Sequence, residues 1–173
     1  MIRRAFIAGS LMTAALGLTA CGFTPLYATG GAAGGLSVIE IITPSGDVQA
    51  PDGRAAYLLR EQLNDALARD QARPAVYRLT ISSLAETRDP RGLGPTNVAS
   101  RYELSLRVEY TLNEIAGGRE LQKGAQTVLV SYPAVTPPYA GVVAQRDSQQ
   151  RAAAEAARRI RLDLAEYFLK TKF

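Results

Sequence analysis

The residue best placed for covalent chemistry is Cys21, the sole cysteine of the chain. It closes the run Leu18-Thr19-Ala20-Cys21, in which small residues lead up to a thiol. That spacing fits the bacterial lipobox, where the sulfur is lipidated before the preceding segment is cut away. Cys21 then becomes a mature N-terminus that carries acyl chains and no free thiol. The other reading is a small buried residue beside an ordinary cleavage point; the place of the lone cysteine favours lipidation. Ahead of it stand Arg3 and Arg4, then an uncharged apolar stretch over residues 5–18. A spanning helix wants roughly 18 or more apolar residues, so this reads as an export signal. One acyl chain holds only marginally at about 0.8 kcal/mol per buried methylene, whereas several together anchor a protein firmly. Gly22 stands where an inner-membrane retention signal has aspartate, which favours the outer membrane. Arg3-Arg4-Ala5-Phe6-Ile7 partly resembles a twin-arginine signal. No cofactor motif demands folded export, so the general secretory route is preferred.

Other chemistry is sparsely supplied. The chain has no histidine and no tryptophan, which removes the commonest general base and metal ligand. With Cys21 acylated, thiolate catalysis and thiolate zinc sites go too. No Gly-x-Gly-x-x-Gly, P-loop or Gly-x-Ser-x-Gly is present. A hydrolase built on carboxylates needs two close together, and no spacing offers them. We therefore expect no enzyme, no metal, and no cofactor beyond the lipid on Cys21. The formal charge of +4 includes Arg3 and Arg4; without them eighteen basic residues face sixteen acidic ones. Global charge thus says nothing about partners, and electrostatic function must come from local patches.

The elements that must position any such patch follow from periodicity. The 173 residues suggest a signal over 1–20, a lipidated terminus and flexible glycine-rich tether over 21–35, and one domain over 36–173. Residues 36–42 read as a first strand with Val38, Ile39, Ile41 and Ile42 largely buried. A helix is expected from Asp52, as N-cap, to about Arg69, burying Ala56, Leu59, Leu63, Ala66 and Leu67. Residues 76–88 form a strand whose parity Leu84 breaks, which predicts a bulge or a fading edge. Residues 89–97 read as a long loop. The clearest strand is 101–114, where Tyr102, Leu104, Leu106, Val108, Tyr110 and Leu112 alternate with polar residues. Gly117-Gly118 then turns into a strand over 120–135. A three-residue loop with Gly118 left-handed would set Val108 opposite Val128 and keep Lys123 off the apolar face. After Pro137-Pro138, a long helix runs to Leu169 with Val143, Ala153, Ala156, Ala157, Ile160, Leu164, Tyr167 and Phe168 buried. The order β-α-β-β-β-α predicts an α+β fold, with two helices on one face of a four-stranded, largely antiparallel or mixed sheet.

This order behind a lipobox resembles the LptE family of lipopolysaccharide-assembly lipoproteins. The likeness is carried by Cys21-Gly22-Phe23-Thr24-Pro25-Leu26-Tyr27, the Tyr102 strand, and the tail with Tyr139-Ala140, Arg146-Asp147, Arg158-Arg159-Ile160 and Leu164-Ala165-Glu166-Tyr167-Phe168. It spans essentially the whole mature chain. The resemblance implies a protein held on the inner leaflet of the outer membrane. There it plugs the large β-barrel LptD, helps to assemble it, and contacts lipopolysaccharide as the pair delivers it to the outer leaflet. A different class of function, a periplasmic lipoprotein serving an ABC-type lipid or solute trafficking system, would show an inner-membrane partner and no barrel.

Phosphates above acyl chains call for arginine or lysine beside apolar surface. The family's basic residue followed by aspartate lands on Arg146-Asp147, so the resemblance implies Arg146 as a phosphate contact. Arg91 and Arg101, flanking the expected loop, come next, and Lys123 after them. Each competes with the reading of a solvated surface charge. Leu93 inserts between partner strands or is simply exposed. Nucleic acid is not expected: Glu155, Asp163 and Glu166 interrupt the arginine-rich helix, and the export signal separates it from such a ligand.

Overall fold

The computed structural model describes residues 32–43, 51–93, 98–135 and 137–171; Cys21 and the export signal lie outside them. The alternating stretch decides the architecture. It is β3 (Ala99–Glu114), paired antiparallel with β2 (Tyr77–Leu93) on one side and β4 (Glu120–Pro133) on the other. A short β1 (Ile39–Ile42) joins β2 in parallel, giving the order β1-β2-β3-β4. Helices α2 (Pro51–Leu67) and α3 (Pro138–Lys170) cover one face of this mixed sheet. The expected α+β fold is the one observed.

The core lies between the sheet and these two helices. Leu104, Leu106, Val108, Tyr110 and Leu112 bury their side chains against Leu59 and Leu63 of α2 and against Ala152, Ala156, Ile160 and Leu164 of α3. Each fully buried leucine or isoleucine contributes about 1.5–3 kcal/mol of transfer free energy. Alanines in the middle of α3 let the backbone approach the sheet closely, and Phe168 near its end fills wider space against Tyr77.

Several boundaries differ from expectation. Residues 32–36 form a short helix, α1 (Ala32–Leu36), where the composition suggested a tether and then a strand. It packs on α3, and a methyl added at Gly35 would come within 2.9 Å of the Phe168 ring. Ile42 is exposed, because it shares the uncovered sheet face with its partner Thr80. Helix α2 already includes Asp52, starting at Pro51, where the missing N–H costs nothing. It ends at Leu67 with Ala68 left-handed at φ 47°. Val143 is exposed, whereas Ser148, Gln149 and Ala152 are buried.

The β2–β3 hairpin departs furthest. A bulge between Ile81 and Ser83 is present, as Leu84's parity predicted. The long loop is not, because β2 continues to Leu93 and pairs through Arg91↔Arg101 and Leu93↔Ala99. β1 reaches only Thr80, so β2 beyond it is an edge, where Pro90 is tolerated. In the second hairpin Gly118 is left-handed as expected, at φ 64°. The register is two residues away from the predicted one: Leu106, not Val108, faces Val128. Glu114 donates its N–H to the Arg119 carbonyl at 2.9 Å, closing a four-residue turn, and a further irregularity follows at Leu112/Asn113. A shift of two preserves the faces, so Lys123 stands opposite Thr111 on the uncovered side.

Candidate functional site

The bulge in β2 determines which side chains reach which face. Before it, Tyr77, Leu79 and Ile81 point at the helices; after it, Leu84, Glu86 and Arg88 do, opposite Val108, Leu106 and Leu104. Arg88 and Glu86 therefore enter the space under α3, while Arg91 returns to the uncovered face. Glu86 accepts from Gln149 Nε2 at 2.8 and 3.0 Å, and Gln149 Oε1 accepts from Arg54 Nε at 3.1 Å. This polar chain ties β2, α3 and α2 together where α3 offers the sheet little apolar bulk. Arg88 Nη1 donates to Gln145 Oε1 at 3.0 Å, and its guanidinium lies 5.0 Å from the Tyr102 ring centre.

Three of the four predicted cations lie toward the same end of the molecule, but on different faces: Arg91 and Arg101 on the uncovered sheet face, Arg146 on α3. Arg91 and Arg101 are cross-strand partners, and like charges so placed repel. Glu103 relieves the repulsion on one of them, accepting from Arg91 Nη2 at 2.7 Å and Nε at 3.2 Å. The hydrogen bond and charge of Glu103 hold the Arg91 guanidinium above its ordinary pKa. Arg146 is exposed on α3, next to the Gln145 that Arg88 engages. Among the described residues, neither Arg101 nor Arg146 has a hydrogen-bond or ion-pair partner. Lys123 does not belong with them. It lies ten residues along β4 from Pro133, the partner of Arg101, or roughly 30 Å at about 3.3 Å per residue.

Exposed apolar side chains occur in or beside the same segments of β2, β3, β4 and α3. Leu93, Val98, Val135, Val142 and Val143 are all more than a third exposed, and Tyr139 is 82% exposed. A cleft of about 370 Å³ opens nearby, lined by Arg88, Val98, Ala99, Tyr102, Tyr132, residues 133–135 and Gly141. Arg88, Tyr132 and the cleft were missed from sequence, because the bulge had reversed the face of Arg88. A fixed parity past Leu84 would have shown it.

The opposite end differs in character. An apolar groove of about 320 Å³ lies between Gly34, Gly35, Val38, Val76, Tyr77 and Phe168. Among the described residues no three metal-ligating side chains gather, and no helix is long and apolar enough to cross a membrane.

A family model described as LptE, lipopolysaccharide-assembly, matches residues 39–169. The chain belongs to the LptE family. The matched span runs from the first residue of β1 almost to the end of α3, so it includes the whole sheet and the arginine-rich end. A solved structure described as a lipoprotein from Caulobacter crescentus CB15 is 45% identical, with a TM-score of 0.67 over 82% of this chain and 98% of that one. The rare lipoprotein B from Shewanella oneidensis shares the fold at 19% identity, with a TM-score of 0.58 over 78% of this chain and 98% of its own. A minor lipoprotein from Acinetobacter baumannii does so at 15% identity and a TM-score of 0.56, over 76% of this chain and 92% of its own. No curated protein matches the chain. LptE membership gives the protein a role in lipopolysaccharide assembly, within a family of non-enzymatic outer-membrane lipoproteins.

Proposed function

We propose that the protein is anchored to the inner leaflet of the outer membrane through lipid on Cys21. In that position it plugs and helps to assemble an LptD-type β-barrel, and contacts lipopolysaccharide as the pair inserts it into the outer leaflet. In this reading residues 1–20 are the export signal and Cys21 is the mature N-terminus. The observation that carries the lipopolysaccharide contact is the start of α3, where Arg146, without a partner among the described residues, follows exposed Val142 and Val143 at helical spacings of four and three. Cations beside apolar surface match a ligand that presents phosphates above acyl chains. The net-neutral remainder supports a plug: Arg78–Glu40 at 3.2 Å and Arg107–Glu109 at 3.0 Å pair off charges on the uncovered sheet face.

The test is affinity purification of the tagged protein from detergent-solubilised outer membranes. Recovery of a large, heat-modifiable β-barrel in equal amount is expected. Recovery of an inner-membrane ATP-driven complex with no barrel would overturn the plug assignment.

A further inference from the structure

We propose that the apolar groove beside α1 is the docking site of the chain's own Pro25-Leu26-Tyr27, which lies outside the described residues. No residue lining the groove is charged. Its space comes from glycine: side chains are missing at Gly34 and Gly35, and a Cβ at Gly35 would come within 2.9 Å of the Phe168 ring. Phe168 and Tyr77 meet there with ring centres 5.1 Å apart, and Val76 beside them is left 42% exposed. Water finds few polar partners in such a hollow, so apolar side chains are its favoured filling. A dry apolar cavity of about 150 Å³ takes one benzene. The groove, at about 320 Å³, suits two side chains of that order.

The occupant follows from where the chain enters. The described residues start at Ala32, two before Gly34. No residue from 22 to 35 is charged, and Pro25, Leu26 and Tyr27 are the bulky apolar residues nearest to Gly34 on its N-terminal side. Leu26 stands eight residues before Gly34, a length that spans at most about 26–29 Å. Gly30-Gly31 let the chain reverse within it at little steric cost. A segment tethered so closely has an effective concentration on the order of millimolar, which a second copy of the protein does not match in dilute solution. Phe173, two residues past Thr171, also has the reach, but it is joined to Lys172, whose charge an apolar surface disfavours. Docking leaves residues 22–24 as the free tether. Residues 22–31 span at most about 33–36 Å, and residues 22–24 about 10–11 Å, so the groove end is held close to whatever anchors Cys21. That the anchor is lipid in a membrane rests on the function proposed above; the docking does not.

The experiment introduces cysteines in pairs into the full chain and oxidises isolated membranes mildly, with the linked peptides identified by mass. Leu26→Cys with Val76→Cys should form a disulfide within one chain about tenfold faster than Leu26→Cys with Ile115→Cys. Ile115 is the fair control: it is exposed and donates its N–H to the Val76 carbonyl, yet does not line the groove. In the purified protein Leu26→Asp should speed amide exchange of α1 about tenfold, and Thr24→Asp should leave it unchanged. Equal rates for the two cysteine pairs, or α1 exchange that ignores Leu26→Asp, overturns the docking. Faster α1 exchange in Phe173→Asp but not in Leu26→Asp gives the groove to Phe173, and a 26–76 disulfide between chains gives it to a second copy; either overturns the proposal. Intact mass reads acylation separately. A bare Cys21 with the 26–76 disulfide still favoured removes the lipid anchor and keeps the docking, whereas an acylated Cys21 without that preference keeps the anchor and removes the docking.

Discussion

Tyr110 and Asp163 are joined by a 2.8 Å hydrogen bond that crosses from the centre of β3 to the outer half of α3. The tyrosine ring is wholly buried, and its hydroxyl donates to a carboxylate oxygen that also accepts from Gln126 Nε2. Burial, then the hydrogen bond and charge of Asp163, push the Tyr110 hydroxyl well above the usual tyrosine pKa. The raised value favours the protonated form in the fold. Its stabilising contribution is therefore complete below the unfolded value near 10 and is lost as the solution becomes more alkaline. Tyr110→Phe should lower unfolding stability by about 1–3 kcal/mol and flatten the decline above pH 10, both measurable by urea denaturation across pH.

Gly124 lies opposite Tyr110 in the sheet. A Cβ there would sit 2.4 Å from the Tyr110 oxygen and 2.5 Å from the ring carbon that bears it. The ring cannot yield without breaking the bond to Asp163. Gly124→Ala should thus destabilise by about 1–3 kcal/mol, despite replacing a poor strand residue by a better one. A denaturation midpoint equal to the wild type's would show that the ring has room to move.

Glu155 is held by two arginines on its own helix, accepting from Arg158 Nε at 2.8 Å and from Arg159 Nε at 2.7 Å. Those hydrogen bonds, that of Arg158 the larger, lower its pKa to about 2. A depressed carboxylate stabilises the fold above its unfolded value near 4.3 and stops doing so as pH falls through about 2. Acid titration by NMR should place the Glu155 midpoint well below those of the exposed carboxylates. Glu155→Gln should remove the part of the acid destabilisation between about pH 4 and 2.

How far the fold could be read depended on whether parity held. From Tyr102 to Leu112 it never breaks, and strand, face and buried set follow directly. Where a bulge or turn intervenes, a single sequence gives the break but not its size. Leu84 revealed the irregularity in β2, yet the reversed faces of Arg88 and Arg91 followed only from the observed pairing. Gly118 likewise fixed the left-handed turn residue, while Leu106 and Val128 found each other through a longer turn. The second half of the β2–β3 hairpin was illegible because Pro90, Gly92 and Gly94 are loop-forming residues locally. Strand pairing with β3 overrides that preference at least to Leu93. The short helix at Ala32–Leu36 was hidden for a similar reason: its glycines are poor helix formers, and it is packing against Phe168 that selects them.

The two candidate phosphate contacts Arg91, in β2, and Arg146, on α3, are not equivalent. Arg91 already spends its fork on Glu103, whereas Arg146 has no partner among the described residues. Arg146→Glu should weaken lipopolysaccharide binding about tenfold with unchanged thermal unfolding, and Arg91→Glu should weaken it less. Surface plasmon resonance on immobilised lipopolysaccharide measures both; equal losses would mean that the Glu103 pairing does not set the ranking.

Cys21→Ser removes the sulfur that the lipid requires. The variant should accumulate as precursor that keeps its export signal, or fail to sediment with outer membranes; efficient outer-membrane retention of the serine form would place the anchor elsewhere.

The role in lipopolysaccharide assembly is most directly tested by depletion. With the protein withdrawn and no paralogue present, surface-exposed lipopolysaccharide, quantified on intact cells by labelling from outside, should fall while the total in the envelope persists. Surface lipopolysaccharide that stays at the wild-type level through several generations of clean depletion would contradict the assignment.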